Sequence, residues 1–399
     1  MKLLPSLTQF LCFTAMAGVS LHAESSSGSS HIRTTTRALA DLDHDRTLES
    51  VTEIFGSAVD TPQRGRWTDI DADGDLDLFL IRKDADNALY RNDHDELVPI
   101  TDSALRSNRS LGMAWGDYDN DRDLDVLLLN ETAPNQLYRN QGDGTFEPVT
   151  ADWMSQGSHA CWGDYNNDGR LDLYISSAHD ADALWLNQGE GAFEKTWLPS
   201  GTTISRTANW VDVDDDGDLD FTLINQDGTP STHENLLKDT NWLFVDLIGR
   251  KSNPEAIGAK VHVLAEIDGE ELWQMREFNT SDGNDPRAHF GLGNADCAKI
   301  VRIEWPSGIV DQMRHVAVNQ FCTIPETVGP PTMAVRRQED RVNIAIDANP
   351  DLPYRLEAST DLEKWLPIDI LSTNAAGRAQ LTLPADKAAC YYRIHPTQR

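Results

Sequence analysis

Short apolar runs follow acidic stretches at regular intervals in the first half of the chain. The segments read WTDIDADGDLDLFLI, WGDYDNDRDLDVLLL, WGDYNNDGRLDLYIS and WVDVDDDGDLDFTLI, and their acidic parts begin at Asp69, Asp117, Asp164 and Asp212. The intervals between these aspartates are 48, 47 and 48 residues. Because short apolar runs bounded by turn-forming residues are typical of strands, each unit predicts a strand directly after its acidic loop.

The stretches between these segments repeat as well. NALYRNDHDELVPI, NQLYRNQGDGTFEPV and ALWLNQGEGAFEKTW each place an aromatic strand before a turn and a further short strand. A weaker copy, LADLDHDRTLESV, contains Asp41 and belongs to an incomplete unit. Regular β units of ~40 to 50 residues are typical of propeller blades, which stack because one blade cannot bury both of its faces alone.

We therefore predict an all-β chain whose residues 38–240 form a β-propeller-like repeat domain of about five blades. Closure of the ring would need an N-terminal strand or strands of the following domain. A tryptophan stands two residues before the first aspartate of each of the four stronger copies, at Trp67, Trp115, Trp162 and Trp210. This periodicity predicts blade-core residues. Trp185 lies outside the register and is the better candidate for an exposed position.

The acidic runs place oxygen-bearing side chains at alternate positions. Counting the first aspartate as position 1, acids or Asn occupy positions 1, 3, 5 and 9, and position 7 would add its backbone carbonyl. Ca²⁺ prefers several hard oxygens around one centre, whereas Mg²⁺ demands a stricter octahedron and keeps more water. The predicted metal-binding residues are Asp41, Asp43, Asp45 and Glu49; Asp69, Asp71, Asp73, Asp75 and Asp77; Asp117, Asp119, Asp121, Asp123 and Asp125; Asp164, Asn166, Asp168, Arg170 and Asp172; and Asp212, Asp214, Asp216, Asp218 and Asp220. We expect about four to five Ca²⁺ ions, bound as part of the fold.

Glycine at position 6 separates complete loops from looser ones. Gly74, Gly169 and Gly217 permit the sharp turn, whereas Arg122 stands at this position in its loop. An EF-hand alternative fails, because Leu or Ile stands where a bidentate Glu is needed and strand-like sequence follows the loop. The remaining alternative is an Asp-rich turn that caps strands without metal.

The rest of the chain predicts two smaller β domains. The segments WLFVDLIG, KVHVLAEI and KIVRIEW indicate a compact β unit over residues 241–326. After a proline-containing joint, VNIAIDA, YRLEASTDLEKWLPI, AQLTLP and YYRIH favour a small β-sandwich over residues 332–399. Cys297 and Cys322 could pair or stay free thiols, and their sequence separation does not decide between the two.

Two stretches resemble known families. The acidic loops resemble the integrin-alpha-like FG-GAP or VCBS repeats over residues 38 to about 237. The segments NWLFVDLIGRKSNPEAIGAKVHVLA, HFGLGNADCAKIVRIEWPSGIVDQM and VNQFCTIPE resemble the ASPIC/UnbV domain of the cartilage acidic protein family. The first resemblance implies a calcium-binding propeller of a secreted or surface protein. The C-terminal LEASTDLEKW and YYRI are similar to short modules of large secreted bacterial proteins.

Charge and the N-terminal sequence narrow the partners and the location. The 399 residues include 65 Asp plus Glu against 34 Lys plus Arg, a formal charge of -31. This charge would repel a phosphate backbone, so we expect no nucleic-acid or anionic-membrane partner. Lys2 before an apolar stretch that ends near Ala23 predicts a secretory signal peptide over residues 1–23, followed by a flexible linker over residues 24–37. No later run is long enough to predict a membrane span.

We therefore expect a secreted or cell-surface protein, on the bacterial exterior or in the periplasm, that serves adhesion or the binding of an extracellular protein or glycan. The alternative is an extracellular polysaccharide-active enzyme, a lyase or hydrolase on a propeller scaffold. Its candidate base would be His159, which breaks the repeat three residues before Trp162. The sequence contains no nucleophile elbow or HExxH run, and a binding protein is the favoured hypothesis.

Overall fold

The structure is a computed structural model. It describes residues 39–40, 49–50, 62–82, 85–93, 96–106, 110–130, 133–149, 157, 159–176, 181–196, 204–279, 285–327, 332–338, 341–348, 353–360, 364–373, 378–384 and 391–396. The chain forms two compact units, residues 1–247 with 253–324 and residues 248–252 with 325–399. The predicted signal peptide, the linker and Asp41, Asp43 and Asp45 lie outside the described residues, and the predicted domain boundaries stay predictions.

Four successive antiparallel sheets follow the sequence repeat. Their strands are β3 (Pro62–Thr68), β4 (Asp77–Arg82), β5 (Ala88–Asn92) and β6 (Leu97–Ile100); β7 (Ser110–Gly116), β8 (Asp125–Asn130), β9 (Gln136–Asn140) and β10 (Phe146–Val149); β11 (His159–Gly163), β12 (Asp172–Ser176), β13 (Ala183–Asn187) and β14 (Phe193–Thr196); and β15 (Ser205–Val211), β16 (Asp220–Asn225) and β17 (Pro230–His233). In each sheet the strands are neighbours in chain order. A pair of short strands, β1 (Leu39–Ala40) and β2 (Glu49–Ser50), precedes them. The all-β, propeller-like prediction is confirmed.

The second strand of each sheet lies at the centre of the packing. Every residue of β8 and β12 is buried, which explains their continuous apolar sequence. Between neighbouring sheets, the Trp115 ring meets the edge of Phe79 at a centroid distance of 5.8 Å. All four tryptophans of the repeat are buried, as predicted. The prediction for Trp185 was wrong: its side chain is 8 % exposed, because it packs in the core formed by the second and third sheets.

Two further sheets follow the repeats in the first compact unit. Their strands are β18 (Asn241–Ile248), β19 (Lys260–Ile267), β20 (Glu270–Glu277), β21 (Ala288–Gly293), β22 (Cys297–Glu304), β23 (Val310–Ala317) and β24 (Gln320–Pro325). One sheet has the order β21-β18-β24 and the other β20-β19-β22-β23. Val245, Val263, Phe290 and Val301 belong to the core that the two sheets share. This is the compact β unit that the sequence predicts.

The second compact unit contains the predicted C-terminal sandwich. Its strands are β25 (Thr332–Gln338), β26 (Arg341–Asp347), β27 (Pro353–Ser359), β28 (Leu366–Ser372), β29 (Arg378–Pro384) and β30 (Tyr391–Pro396). They form two sheets, β25-β26-β29 and β28-β27-β30, and Ile344, Tyr354 and Leu356 fill the core between them. In the first unit, Cys297 and Cys322 are free thiols. Among the described residues, no helix has the length and apolarity needed to cross a membrane.

Candidate metal centres

Four loops share one backbone path. We name them loop A (69–77), loop B (117–125), loop C (164–172) and loop D (212–220); each joins the first two strands of a sheet. Positions 4 and 6 have positive φ angles in every loop: Ala72 58° and Gly74 98°, Asn120 61° and Arg122 80°, Asn167 56° and Gly169 88°, Asp215 59° and Gly217 95°. Position 6 therefore favours glycine, and loop B keeps the same turn with Arg122.

The position 1 carboxylate closes the turn. In loops A, C and D it accepts a hydrogen bond from the backbone N–H of the position 6 glycine. These bonds run from Gly74 to Asp69 at 3.2 Å, from Gly169 to Asp164 at 2.8 Å and from Gly217 to Asp212 at 3.1 Å. In loop B both carboxylate oxygens of Asp117 are buried and have no hydrogen bond of standard geometry to the described residues, although the Arg122 N–H still acts to lower the pKa of Asp117. Burial and the nearby charge of Asp121 raise the pKa of Asp117 well above its usual value.

Two backbone N–H groups hold position 9 in every loop. Asp77 accepts the N–H of Ile70 and the N–H of Asn92, each at 2.8 Å. The same pair of bonds joins Tyr118 and Asn140 to Asp125, Tyr165 and Asn187 to Asp172, and Val213 and Asn235 to Asp220. The ninth residue therefore fastens each loop to the end of the third strand of its sheet, or to the residues just after that strand.

An asparagine that the sequence analysis did not single out joins neighbouring repeats. Asn187 donates from Nδ2 to the carbonyl of Leu171 in loop C at 3.1 Å and to that of Tyr118 in loop B at 2.7 Å. Equivalent bonds to the preceding loop run from Asn140 to Ile70 and from Asn235 to Tyr165. Asn92, Asn140, Asn187 and Asn235 recur at intervals of 48, 47 and 48 residues, so the sequence repeat itself contained the signal.

Three loops gather carboxylates that could hold a metal ion. Positions 1, 3 and 9 bring one oxygen each within 4.8 Å of one another in loops A, B and D. The groups are Asp69, Asp71 and Asp77; Asp117, Asp119 and Asp125; and Asp212, Asp214 and Asp220. In loop C, position 3 is Asn166, whose amide donates to Asp168 at 3.1 Å.

Positions 5 and 7 are joined by a short-range bond. Asp73 accepts the N–H of Asp75 at 2.9 Å, and the same bond runs from Asp123 to Asp121, from Arg170 to Asp168 and from Asp218 to Asp216. The position 7 side chain is buried in loop D, where Asp218 also accepts the N–H of Leu237 at 2.9 Å. Glu49 of the weaker copy lies in β2, and the structure describes only its backbone.

The chemistry of these groups fits a divalent cation. Asp71 Oδ1 and Asp119 Oδ1 are buried and accept no hydrogen bond from the described residues, which leaves anionic oxygens without a donor. Asp69 Oδ1 also accepts none, although the other oxygen of this carboxylate is paired with Lys260. Burial, reinforced by neighbouring carboxylates, raises the pKa of Asp77 to about 7 and that of Asp125 to about 10. Oxygen ligands alone, in a loop that is already curled, are what Ca²⁺ prefers.

Comparison with protein families matches both parts of the first compact unit. The FG-GAP-like repeat family matches residues 69–128, 117–175 and 164–222, and the ASPIC and UnbV family matches residues 249–331. The chain is an FG-GAP-repeat protein with an ASPIC and UnbV domain. Each FG-GAP-like match begins at position 1 of a loop, so the acidic loop is part of the repeating element of the family.

Comparisons with curated sequences and with solved structures assign no function to this chain. A comparison with curated protein sequences gave no match. Among solved structures, the chain is similar to AofleA from Arthrobotrys oligospora, with 12% identity over 80% of this chain and 88% of that chain, and a TM-score of 0.29. It is similar to BBS1N in complex with ARL6DN, with 11% identity, coverage of 80% and 91%, and a TM-score of 0.29. A tetra-tandem repeat of a large adhesion protein gives 10% identity, coverage of 79% and 89%, and a TM-score of 0.14. Likenesses this low support no conclusion about function.

The ASPIC and UnbV domain lies against the FG-GAP loops within the first compact unit. Lys260, the first residue of β19, places Nζ 2.8 Å from Asp69 Oδ2 in loop A. In loop C, the carbonyl of Asn167 accepts the N–H of Gly293 at 2.8 Å. In loop D, Arg287 is 3.2 Å from Asp215. Loops A, C and D are therefore part of the surface on which this domain packs.

A buried ion pair reinforces the packing beside loop A. Glu277, at the end of β20, accepts hydrogen bonds from Arg66 Nη2 and from the hydroxyl of Thr68, each at 3.0 Å. Arg66 and Thr68 lie in β3, directly before loop A. Because the Arg66 and Glu277 side chains are 2% and 1% exposed, removing either partner would leave a buried charge uncompensated.

Proposed function

We propose that this protein is a secreted or cell-surface calcium-binding protein whose propeller-like repeats serve adhesion or the binding of an extracellular protein or glycan. Calcium would be a structural part of the loops, held by the carboxylates of positions 1, 3 and 9 and by the carbonyl of position 7. One observation carries the calcium proposal. Positions 1, 3 and 9 converge in loops A, B and D, and one oxygen each of Asp69, Asp71 and Asp119 is buried without a hydrogen bond to the described residues.

The FG-GAP-like repeats support the extracellular part of the proposal. Such repeats suggest a binding or adhesion scaffold outside the cell, and the N-terminal sequence up to Ala23 has the pattern of a secretory signal. The formal charge of -31 favours cationic partners over nucleic acid. The weaker copy at Asp41, Asp43, Asp45 and Glu49 would add a fifth site, on sequence grounds alone.

Metal content and thermal unfolding of the mature protein test the calcium proposal. After dialysis against calcium we expect about four to five ions per chain by elemental analysis, because loops A to D and the weaker copy offer oxygen ligands. Excess EGTA should lower the unfolding midpoint by about 10 °C or more, since a ligand that binds only the folded state stabilises it. Magnesium at the same concentration serves as the control and should restore little of the loss. An unchanged midpoint in EGTA would contradict structural calcium.

A binding screen tests the second half of the proposal. The mature protein is presented to arrays of glycans and of extracellular proteins, once with calcium and once with EGTA. We expect at least one ligand whose binding is lost in EGTA together with the folded loops. In the enzyme alternative, His159 would be the base; it lies in β11 opposite Ser176 and is half-buried. Turnover of a polysaccharide that His159→Ala abolishes, at unchanged calcium content, would favour the enzyme.

A further inference from the structure

Loop A differs from the other loops in having a lysine against its first ligand position. Lys260 Nζ lies 2.8 Å from Asp69 Oδ2 and 3.3 Å from the backbone carbonyl of Asp69. The two side chains are 10% and 8% exposed, so water and salt screen the charges little. The other oxygen, Asp69 Oδ1, is buried and accepts no hydrogen bond. A cation bound there would share one carboxylate with a fixed ammonium group.

The other described loops place their basic neighbours differently. In loops C and D the position 1 carboxylates, Asp164 and Asp212, accept backbone N–H groups from positions 5 and 6. Arg276 of β20 is half-buried and lies near enough to Asp164 and Asp117 to feel their charges, yet among the described residues it forms no ion pair with either of them. Arg287 contacts position 4 of loop D, which supplies no ligand.

We propose that Lys260 is a built-in counter-cation that weakens calcium binding at loop A, so that loop A fills at higher calcium concentration than the other loops. This inference rests on the proposed calcium binding of the loops. Two like charges a few ångströms apart in a buried site repel each other strongly. Lys260 is not needed to curl the loop, because the Gly74 N–H already bonds to Asp69 at 3.2 Å and loops C and D curl without a lysine.

The same contact links calcium to the ASPIC and UnbV domain. Coupling between two binding events is reciprocal. If Lys260 lowers the affinity of loop A for calcium by some factor, bound calcium must weaken the contact between Lys260 and Asp69 by the same factor. Filling loop A therefore weakens one attachment of β19 to the repeats. The neighbouring attachment through Glu277, Arg66 and Thr68 uses no metal-ligand side chain, although Glu277 also accepts the backbone N–H of Asp69 at 3.4 Å.

Calcium titration by calorimetry tests the proposal on the full mature chain after removal of metal. In the wild type we expect one calcium dissociation constant to be weaker than the rest. Lys260→Met, which keeps the aliphatic stem, and Lys260→Gln, which keeps a polar donor, should tighten that constant about tenfold or more and leave the number of ions unchanged. Lys260→Arg keeps the charge and should behave like the wild type. Lys299→Met removes a partly exposed lysine of the same domain, paired with Glu266 and Glu271, and is the matched control.

Asp69→Asn identifies the loop. Introduced alone, this substitution should abolish the weak calcium site. Adding Lys260→Met to Asp69→Asn should then leave the remaining dissociation constants unchanged. Unchanged calcium dissociation constants in Lys260→Met and Lys260→Gln would overturn the proposal. Weaker calcium binding in these variants would also overturn it, because Lys260 would then help to organise the site. Failure of both variants to fold in calcium would show a purely structural ion pair and would also overturn it. A wild type that binds no calcium would instead refute the proposed function itself.

Discussion

The indole of Trp242 occupies the space beside Gly217, so closely that a Cβ on Gly217 would lie 1.7 Å from Trp242 Cε2. Gly217 also has a φ of 95°. Glycine is therefore required here for two reasons, the turn of loop D and the close approach of Trp242 in β18. Gly74 has the same place in loop A and a φ of 98°, but no atom of the described residues lies within 4 Å of the position its Cβ would take.

Substitutions at Gly74 and Gly217 separate the energetic cost of a strained backbone from that of disturbed packing. We expect Gly74→Ala to lower the free energy of unfolding by about 1 to 2 kcal/mol, the cost of a left-handed conformation for a residue with a Cβ. Gly217→Ala should cost at least about 2 kcal/mol more, because Trp242 must also move. Chemical denaturation in calcium measures both variants, and equal losses would show that Trp242 does not constrain loop D.

The amide of Asn187 predicts a second stability effect. Asn187→Ala removes two bonds from Nδ2, to Tyr118 and Leu171, and leaves their carbonyls buried without this donor. We expect a loss of about 2 to 4 kcal/mol in denaturant unfolding. Asn225→Ala is the control, because its amide bonds to Thr229 at the surface, and it should cost less than about 1 kcal/mol. A loss no larger than that of the control would show that Asn187 does not join the repeats.

The stability of the metal-free protein should fall as the pH rises. Burial raises the pKa of Asp77 to about 7 and that of Asp212 to about 6. A carboxyl whose pKa is higher in the folded chain than in the unfolded chain stabilises the folded chain while it is protonated. This stabilisation is complete below pH ~4, near the unfolded-state pKa. It is lost as the pH rises through the folded-state pKa values. Calcium competes with these protons, so the stabilisation by calcium should grow over the same range.

Thermal unfolding of metal-depleted protein between pH 5 and pH 8, with and without excess calcium, measures both trends; these pH limits bracket the pKa values of about 6 and about 7 for Asp212 and Asp77. Asp227→Asn removes an exposed acid whose hydrogen bonds to Thr229 lower its pKa, and it should leave both trends unchanged. A midpoint of the metal-free protein that rises with pH would contradict the prediction.

Neutralising one ligand carboxylate should have opposite effects on the unfolding midpoint with and without calcium. Asp117 is buried, its two oxygens have no hydrogen bond of standard geometry to the described residues, and Asp121 and Asp119 add repulsion that the Arg122 N–H offsets only in part. Asp117→Asn should therefore raise the unfolding midpoint in EGTA by a few degrees and lower the midpoint in calcium. Differential scanning calorimetry in the two buffers checks the signs, and a loss in both buffers would show that Asp117 acts through packing alone.

The sequence by itself determined the local features of this protein. The repeat of 48, 47 and 48 residues predicted the strands, the buried tryptophans and the acidic loops, because strand alternation and turn geometry depend on neighbouring residues. Positions 1, 3 and 9 converge in loops A, B and D, since all three lie within one turn of the chain. The fourth asparagine of the pattern, Asn235, shows that even a missed residue obeyed the same period.

Only the tertiary structure decided what covers the loops. Lys260 and Asp69 are 191 residues apart, and no periodicity relates a strand of the ASPIC and UnbV domain to the first aspartate of a repeat. Likewise Trp185, which lies outside the register of tryptophans, is buried because a neighbouring sheet packs over it. Charge and burial at a metal loop depend on which surface meets which in space, and a local pattern does not contain that information.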